Sequence, residues 1–143
     1  MTGISFEQFG KVAPYIIKSR KPIMGHGKHG IGKSELVYQL APKAVHILGL
    51  TEKYGEDYVF PVVERRASQM TEGDLVGLPV IKGNSTSYNP PDFFKYACKN
   101  PVVLFFDEVD RATVEVRQGI FELTDSRKLA GWHLHPGSII FAA

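Results

Sequence analysis

Apolar residues recur along this chain at two spacings, one helical and one strand-like, and the switches between them mark out its elements. Between residues 5 and 20, Phe6, Phe9, Val12 or Ala13, and Ile16 fall three or four positions apart, which is one face of a helix. Pro14 lies inside that stretch and predicts a kink or a break, because proline lacks the N–H a helix needs. Lys21-Pro22-Ile23-Met24 predicts a short strand, and Glu35 to Ala41 returns to helical spacing. Pro42 is expected to stop or bend that helix, with a second helical stretch over residues 43–50. Residues 58–63 read as a strand whose start is obscured by Pro61. They run into Glu64-Arg65-Arg66, which composition alone reads as a solvated strand end.

The second half is more sharply punctuated. Residues 71–79 are rich in glycine and capping residues and predict a loop. Gly83-Asn84-Ser85 predicts a turn joining Val80-Ile81 to Ser87-Tyr88, and Pro90-Pro91 lead into a short helix near residues 92–98. Pro101 to Phe106 is the most apolar run of all. A short continuous run bounded by turn signals fits a strand buried on both faces of a parallel sheet. Residues 113–126 carry the apolar stripe Val116, Ile120, Leu123 and predict a helix. A hairpin within residues 127–134 and a buried strand over residues 138–142 complete the pattern. Helices alternating with buried strands predict an α/β fold in one domain spanning residues 1–143.

Composition adds limits rather than identity. The chain has 143 residues, 43% apolar and 22% charged, ordinary for a soluble globular protein. A formal charge of +2 argues against a nucleic-acid or membrane-surface role. The single cysteine, Cys98, excludes an internal disulfide and agrees with a reducing compartment. No apolar run approaches the ~20 residues of a membrane helix, and Met1-Thr2-Gly3-Ile4 lacks the regions of a signal peptide. A cytoplasmic protein is expected. His26 and His29, and His133 and His135, are closely spaced, but neither pair has Cys or carboxylate companions at zinc-site spacing.

The candidate chemistry begins between the predicted first strand and the helix after it. Gly27-Lys28-His29-Gly30-Ile31-Gly32-Lys33-Ser34 is G-x-x-x-x-G-K-[ST] without a gap, the phosphate-binding P-loop pattern. Glycines at 27, 30 and 32 let the backbone N–H groups approach phosphate oxygens with no Cβ in the way. Lys33 reaches the β- and γ-phosphates as a point charge, the Ser34 hydroxyl can ligate Mg²⁺, and Glu35 continues the binding stretch into the helix. Phosphates then sit at a helix N-terminus, where orphan N–H groups and the dipole favour anions. An overlapping dinucleotide-type pattern, Gly25-His26-Gly27-Lys28-His29-Gly30, is shorter and leaves Gly32-Lys33-Ser34 unexplained.

A second half of the same chemistry follows residues 102–106. The buried strand ends in Asp107-Glu108, the Walker B pattern. Asp107 is expected to hold the Mg²⁺ bridging the β- and γ-phosphates, and Glu108 to polarise the attacking water, with Lys33 assisting catalysis. A lone strand often ends in solvated carboxylates; with a P-loop in the same chain, each motif removes the other's main alternative.

With these residues in view, the chain resembles the MoxR-like branch of the AAA+ ATPases, over roughly residues 21–143. The P-loop has His29 where the family commonly has proline. Residues 66–79, from Arg66-Ala67-Ser68-Gln69 through Gly73-Asp74-Leu75 to Pro79, are similar to the segment after that branch's second strand. Asp107-Glu108-Val109-Asp110-Arg111-Ala112 resembles its D-E-x-x-R-A. The resemblance implies a three-layer P-loop core whose parallel sheet sets the residue 22–24 strand beside the last strand, and that beside the residue 102–106 strand. It also implies a ring, usually hexameric, that spends ATP on remodelling a protein partner. Arg111 is then expected near a subunit interface, and Arg66 or Gln69 near Glu108 or a neighbouring subunit. The family's sensor residue, fifth strand, arginine finger and helical lid have no counterpart up to Ala143, so an incomplete core with weak activity of its own is expected. Other readings are a nucleotide-gated binding subunit with little turnover, a DNA-acting phage motor, or a GTP-specific relative.

Overall fold

The computed structural model describes residues 5–26 and 32–143. Its centre is a four-stranded sheet made of β1 (Ile23–Met24), β2 (Val62–Arg66), β5 (Val103–Asp107) and β8 (Ile139–Ala142). The strands lie in the order β1-β8-β5-β2, and every pairing is parallel. The expected neighbours are therefore the observed ones: the residue 22–24 strand lies beside the last strand, and that beside the apolar run. In register, Phe105 of β5 lies between Glu64 of β2 and Phe141 of β8.

Helices cover both faces of this sheet, which is why β5 and β8 read as continuous apolar runs rather than alternating ones. On one face Leu104, Phe106 and Ile140 meet Phe94 and Ala97 of α5 (Asp92–Lys99) and Val116, Ile120 and Leu123 of α6 (Val114–Ser126). On the other, Val103, Phe105 and Phe141 meet Ala13 and Ile17 of α1 (Phe6–Lys18) and Val37, Leu40 and Ala44 of α2 (Lys33–Ile47). Each large side chain fully buried there contributes roughly 1.5–3 kcal/mol. Among the described residues, no helix is long and apolar enough to cross a membrane.

Both prolines expected to interrupt helices sit inside them. Helix α1 continues through Pro14, and α2 continues through Pro42 to Ile47, followed by a short α3 (Leu50–Tyr54) where a longer second helix was expected. A proline inside a helix costs about 3 kcal/mol. Ala13 and Ile17 around the first, and Leu40, Ala41, Ala44 and Val45 around the second, bury enough apolar surface to offset that cost. Pro42 also lies on the exposed side of α2, where the carbonyl it leaves unbonded can reach water.

Two further boundaries move. The second strand begins at Val62 and takes in Glu64, Arg65 and Arg66, because each pairs in register with β5. The expected loop over residues 71–79 contains α4 (Glu72–Val76). It is started by a reciprocal cap in which Thr71 Oγ1 accepts from Asp74 N–H at 3.3 Å and Asp74 Oδ2 accepts from Thr71 N–H at 2.8 Å. The hairpin β3 (Leu78–Lys82) and β4 (Ser85–Asn89) follows as expected, with Val80 opposite Ser87. Gly77 enters it at φ 90°, and a Cβ there would stand 2.0 Å from the Asn89 carbonyl oxygen. A second, small hairpin pairs β6 (Lys128–Leu129) with β7 (Trp132–His133), again as expected.

At the amino ends of the strands, Arg127 closes the fold. It caps α6 with φ 60°, and its guanidinium donates to the carbonyls of Ser138 at 2.6 Å and His135 at 3.0 Å. Burial, then the nearby Arg20 charge, lower its pKa from the ordinary arginine range. The fully buried Ser138 hydroxyl, 2.9 Å from the Ala97 carbonyl oxygen and 3.1 Å from that of Asn100, also accepts from Val102 N–H at 3.1 Å.

Candidate functional site

Because the four strands are parallel, their carboxyl ends meet along one edge, where ligands of open α/β sheets bind. Backbone hydrogen bonds tie that edge together. Gly25 N–H donates to Ala142 O at 2.7 Å, Ala143 N–H to Phe106 O at 2.9 Å, and Val109 N–H to Ala143 O at 3.0 Å. A cavity of about 540 Å³ opens over the edge, lined by Met24, Gly25 and His26 at the end of β1, Lys33 on α2, and Asp107 and Glu108 at the end of β5, among others.

Helix α2 starts with its amino end at this cavity. Gly32 holds φ 80°, a conformation that favours glycine, and its carbonyl accepts the helix's first hydrogen bond from Leu36 N–H at 3.0 Å. Gly27, Lys28, His29, Gly30 and Ile31, five of the expected phosphate-binding residues, lie outside the described residues. Of the remainder, Lys33 faces the cavity and is half-buried. Ser34 Oγ donates to Glu64 Oε1 at 3.2 Å, and the exposed Glu35 carboxylate accepts from Gln39 Nε2 at 3.3 Å, away from the motif's work.

Asp107 and Glu108 are set by the backbone turn that ends β5. Asp107 Oδ1 accepts from the Glu108 N–H at 2.8 Å, and Glu108 itself lies in the left-handed region at φ 55°, ψ 40°. Non-glycine residues held there cost about 1–3 kcal/mol and cluster at functional sites. The Glu108 side chain is 12% exposed. Its Oε2 accepts a short hydrogen bond from the Ser68 hydroxyl and lies 3.9 Å from Arg66 Nε, and its Oε1 lies 4.0 Å from Arg111 Nη1.

Of the residues expected near Glu108 or a neighbouring subunit, Arg66 lies at ion-pair distance from Glu108. Gln69 is exposed and lines a neighbouring depression with Arg65, Asp74 and Phe93. Ser68, on the turn right after β2, also contacts Glu108. No family model and no curated protein sequence matches the chain.

Sequence reasoning missed three side chains: Ser68, Glu64 and Tyr38. Glu64 carried a signal, since an acidic residue two positions before a strand's end has to find a polar partner. It finds two: besides Ser34, the Tyr38 phenol donates to its Oε2 at 3.3 Å. Burial, then the Glu64 charge and the hydrogen bond to it, raise the Tyr38 pKa above the ordinary tyrosine value and keep the phenol a donor. Ser68 carried no signal, because a single serine in a polar turn is ordinary. Burial pushes the Cys98 thiol up to about 11, which leaves it a poor nucleophile.

The oxygen donors at this edge, the Ser34 hydroxyl and the Asp107 carboxylate, are the hard ligands Mg²⁺ prefers. Lys33 supplies the positive charge that a phosphate chain requires.

Proposed function

We propose that the chain is a Mg²⁺-dependent ATPase that binds and hydrolyses ATP within a ring of MoxR-like AAA+ type, coupled to the remodelling of a protein partner. One observation carries the proposal. The strand order β1-β8-β5-β2 brings the amino end of α2 and the pair Asp107-Glu108 to one cavity, although a long stretch of chain separates them. Neither motif required that meeting, and a chance P-loop match would have no reason to face a strand ending in Asp-Glu.

The residues divide the work by position. Lys33 would hold the β- and γ-phosphates, and Ser34 and Asp107 would hold the cation; Lys33 and Asp107 line the cavity. A Mg²⁺ ion held there would supply charge neutralisation to the phosphate tail. Glu108 orients the water and takes its proton. To do so its carboxylate must leave Ser68 and the two arginines, whose side chains are 55% and 62% exposed and free to swing. Arg111, pointing out beside Glu108, is where a second copy of the chain would sense the site.

The test is calorimetric titration of ATP with and without Mg²⁺, alongside phosphate release and light scattering. Expected are Mg²⁺-enhanced binding, ATP hydrolysis, preference over GTP, and nucleotide-dependent association. Absence of nucleotide binding by the folded chain would overturn the proposal.

A further inference from the structure

Glu64 lies within β2, in register with Phe105, so its carboxylate rises from the sheet itself rather than from a loop. A half-buried carboxylate is costly unless hydrogen-bonded. Both of its oxygens are satisfied by hydroxyls of a single helix, Ser34 at 3.2 Å and Tyr38 at 3.3 Å. Ser34 and Tyr38 are four positions apart on α2 and therefore share a face.

Ser34 has one hydroxyl proton, and here it is given to Glu64. Both lone pairs of Oγ are then free to accept or to ligate, and neither needs to compete with a donated hydrogen. A fully charged acceptor also raises the electron density on Oγ, as carboxylates do behind other metal-bound side chains. Asp107 Oδ1 accepts from the Glu108 backbone N–H, and the Ser34 proton goes to Glu64. We propose that Glu64 is a positioning residue for the divalent cation, turning the Ser34 oxygen toward the metal, and that Tyr38 holds Glu64 in that orientation. This rests on the nucleotide-site reading above. The rival is a latch that only fastens α2 to β2, which would affect stability and leave metal binding untouched.

The ratio of ATP affinities with Mg²⁺ and with chelator measures the metal's coupling to nucleotide, without reference to turnover. In the 143-residue chain, Glu64→Ala should lower that ratio about 10–100-fold, with chelator-phase affinity unchanged within about threefold. Glu64→Gln, which keeps a neutral acceptor, should fall between. Tyr38→Phe should lower the ratio about two- to tenfold. Because Glu64 acts through Ser34, the pair Ser34→Ala/Glu64→Ala should lose no more than Ser34→Ala alone, within about twofold. Wild-type ratios in Glu64→Ala and Tyr38→Phe, or losses that add in the double variant, would overturn the proposal. Should Glu64→Ala fail to fold, Tyr38→Phe decides the matter, since Tyr38 is 51% exposed. A Ser34→Ala chain that loses coupling while the Glu64 variants keep it defeats only this inference. A wild-type chain with no metal coupling at all defeats the nucleotide reading and this inference with it.

Discussion

Glu108→Gln should separate binding from turnover. The substitution keeps the side chain's shape and its capacity to accept from Ser68, and removes the negative charge and the ability to take a proton. Its structural cost is small. The ion pairs to Arg66 and Arg111 are long at 3.9 and 4.0 Å and reach from side chains more than half exposed, so each is worth roughly 0.2–1 kcal/mol. Removing a largely desolvated charge offsets part of that, and the left-handed backbone at position 108 treats glutamine much as it treats glutamate. The catalytic cost is large. A positioned general base contributes about 10²–10⁴-fold, which is about 2.7–5.4 kcal/mol on the barrier at 1.36 kcal/mol per tenfold. Parent and variant should therefore differ by at least 100-fold in single-turnover phosphate release, with ATP affinity within about threefold and nearly equal midpoints in urea. Equal turnover would remove Glu108 from the chemistry. A parallel loss of binding would make it a phosphate or metal contact instead. A parent chain that binds ATP but releases no phosphate would leave a nucleotide-gated subunit as the surviving account.

Lys33→Ala should weaken ATP by about 1.5–3 kcal/mol, roughly 10–150-fold by calorimetry, with the fold intact because Lys33 lies at the cavity rather than in the core. Asp107→Ala should weaken Mg²⁺–ATP far more than chelated ATP, read in the same titrations. Arg127→Ala should lower unfolding free energy in urea by about 1–3 kcal/mol, since the Ser138 and His135 carbonyls lose a charged donor. Stability should also fall as pH drops. Burial, then the charges of Lys53, Arg20 and Arg127, hold His135 below the usual histidine pKa, and its Nδ1 accepts from Gly137 N–H at 2.9 Å. The unfolded chain takes up the proton first, so this stability is complete above about pH 6.5 and is lost as pH falls below it. Urea midpoints at pH 7.5 and 5.5 should converge in His135→Asn.

The elements that were legible in the sequence are those whose pattern has one physical cause. Pro101 to Phe106 could be read because burial on both faces demands an unbroken apolar run, and the α6 stripe because one face of that helix meets the sheet. The prolines misled because a local rule was applied to helices held by tertiary burial; the ~3 kcal/mol penalty of Pro42 is small beside a flank of four buried residues. Residues 71–79 misled in the opposite way, since a five-residue helix fixed by the Thr71–Asp74 cap leaves almost no periodicity to detect. At the site, motif residues could be found because phosphate and metal chemistry dictate residue type at fixed spacing. Ser68 and Tyr38 could not, and Glu64 only as an acidic strand residue in need of a partner, because what joins them is the tertiary packing of β2, the turn after it and α2. Position in space selects such residues, and a one-dimensional pattern does not record it.

Glu108 at the cavity and Glu64 on β2 are held by different means, and the difference bears on how each can be altered. Glu108 is placed by its backbone. The left-handed turn is fixed on one side by the Asp107 Oδ1 bond to its own N–H, and on the other by Val109, which is 4% exposed and bonds through its N–H to the Ala143 carbonyl. None of those anchors involves the Glu108 side chain, so substitution there changes chemistry and leaves position alone. Among its side-chain partners are Ser68 and the exposed Arg66 and Arg111, contacts that can be exchanged as the site fills. Glu64 is the reverse case. Its backbone is ordinary strand, shared with any residue that fits the ladder, and what is special is the pair of hydroxyls its carboxylate gathers from one face of α2. Substitution there leaves the backbone in place and releases Ser34. A carboxylate that must change partners during a cycle is best fixed by the chain behind it. One that must hold a ligand still is best fixed by what it touches, and the sheet edge carries one of each.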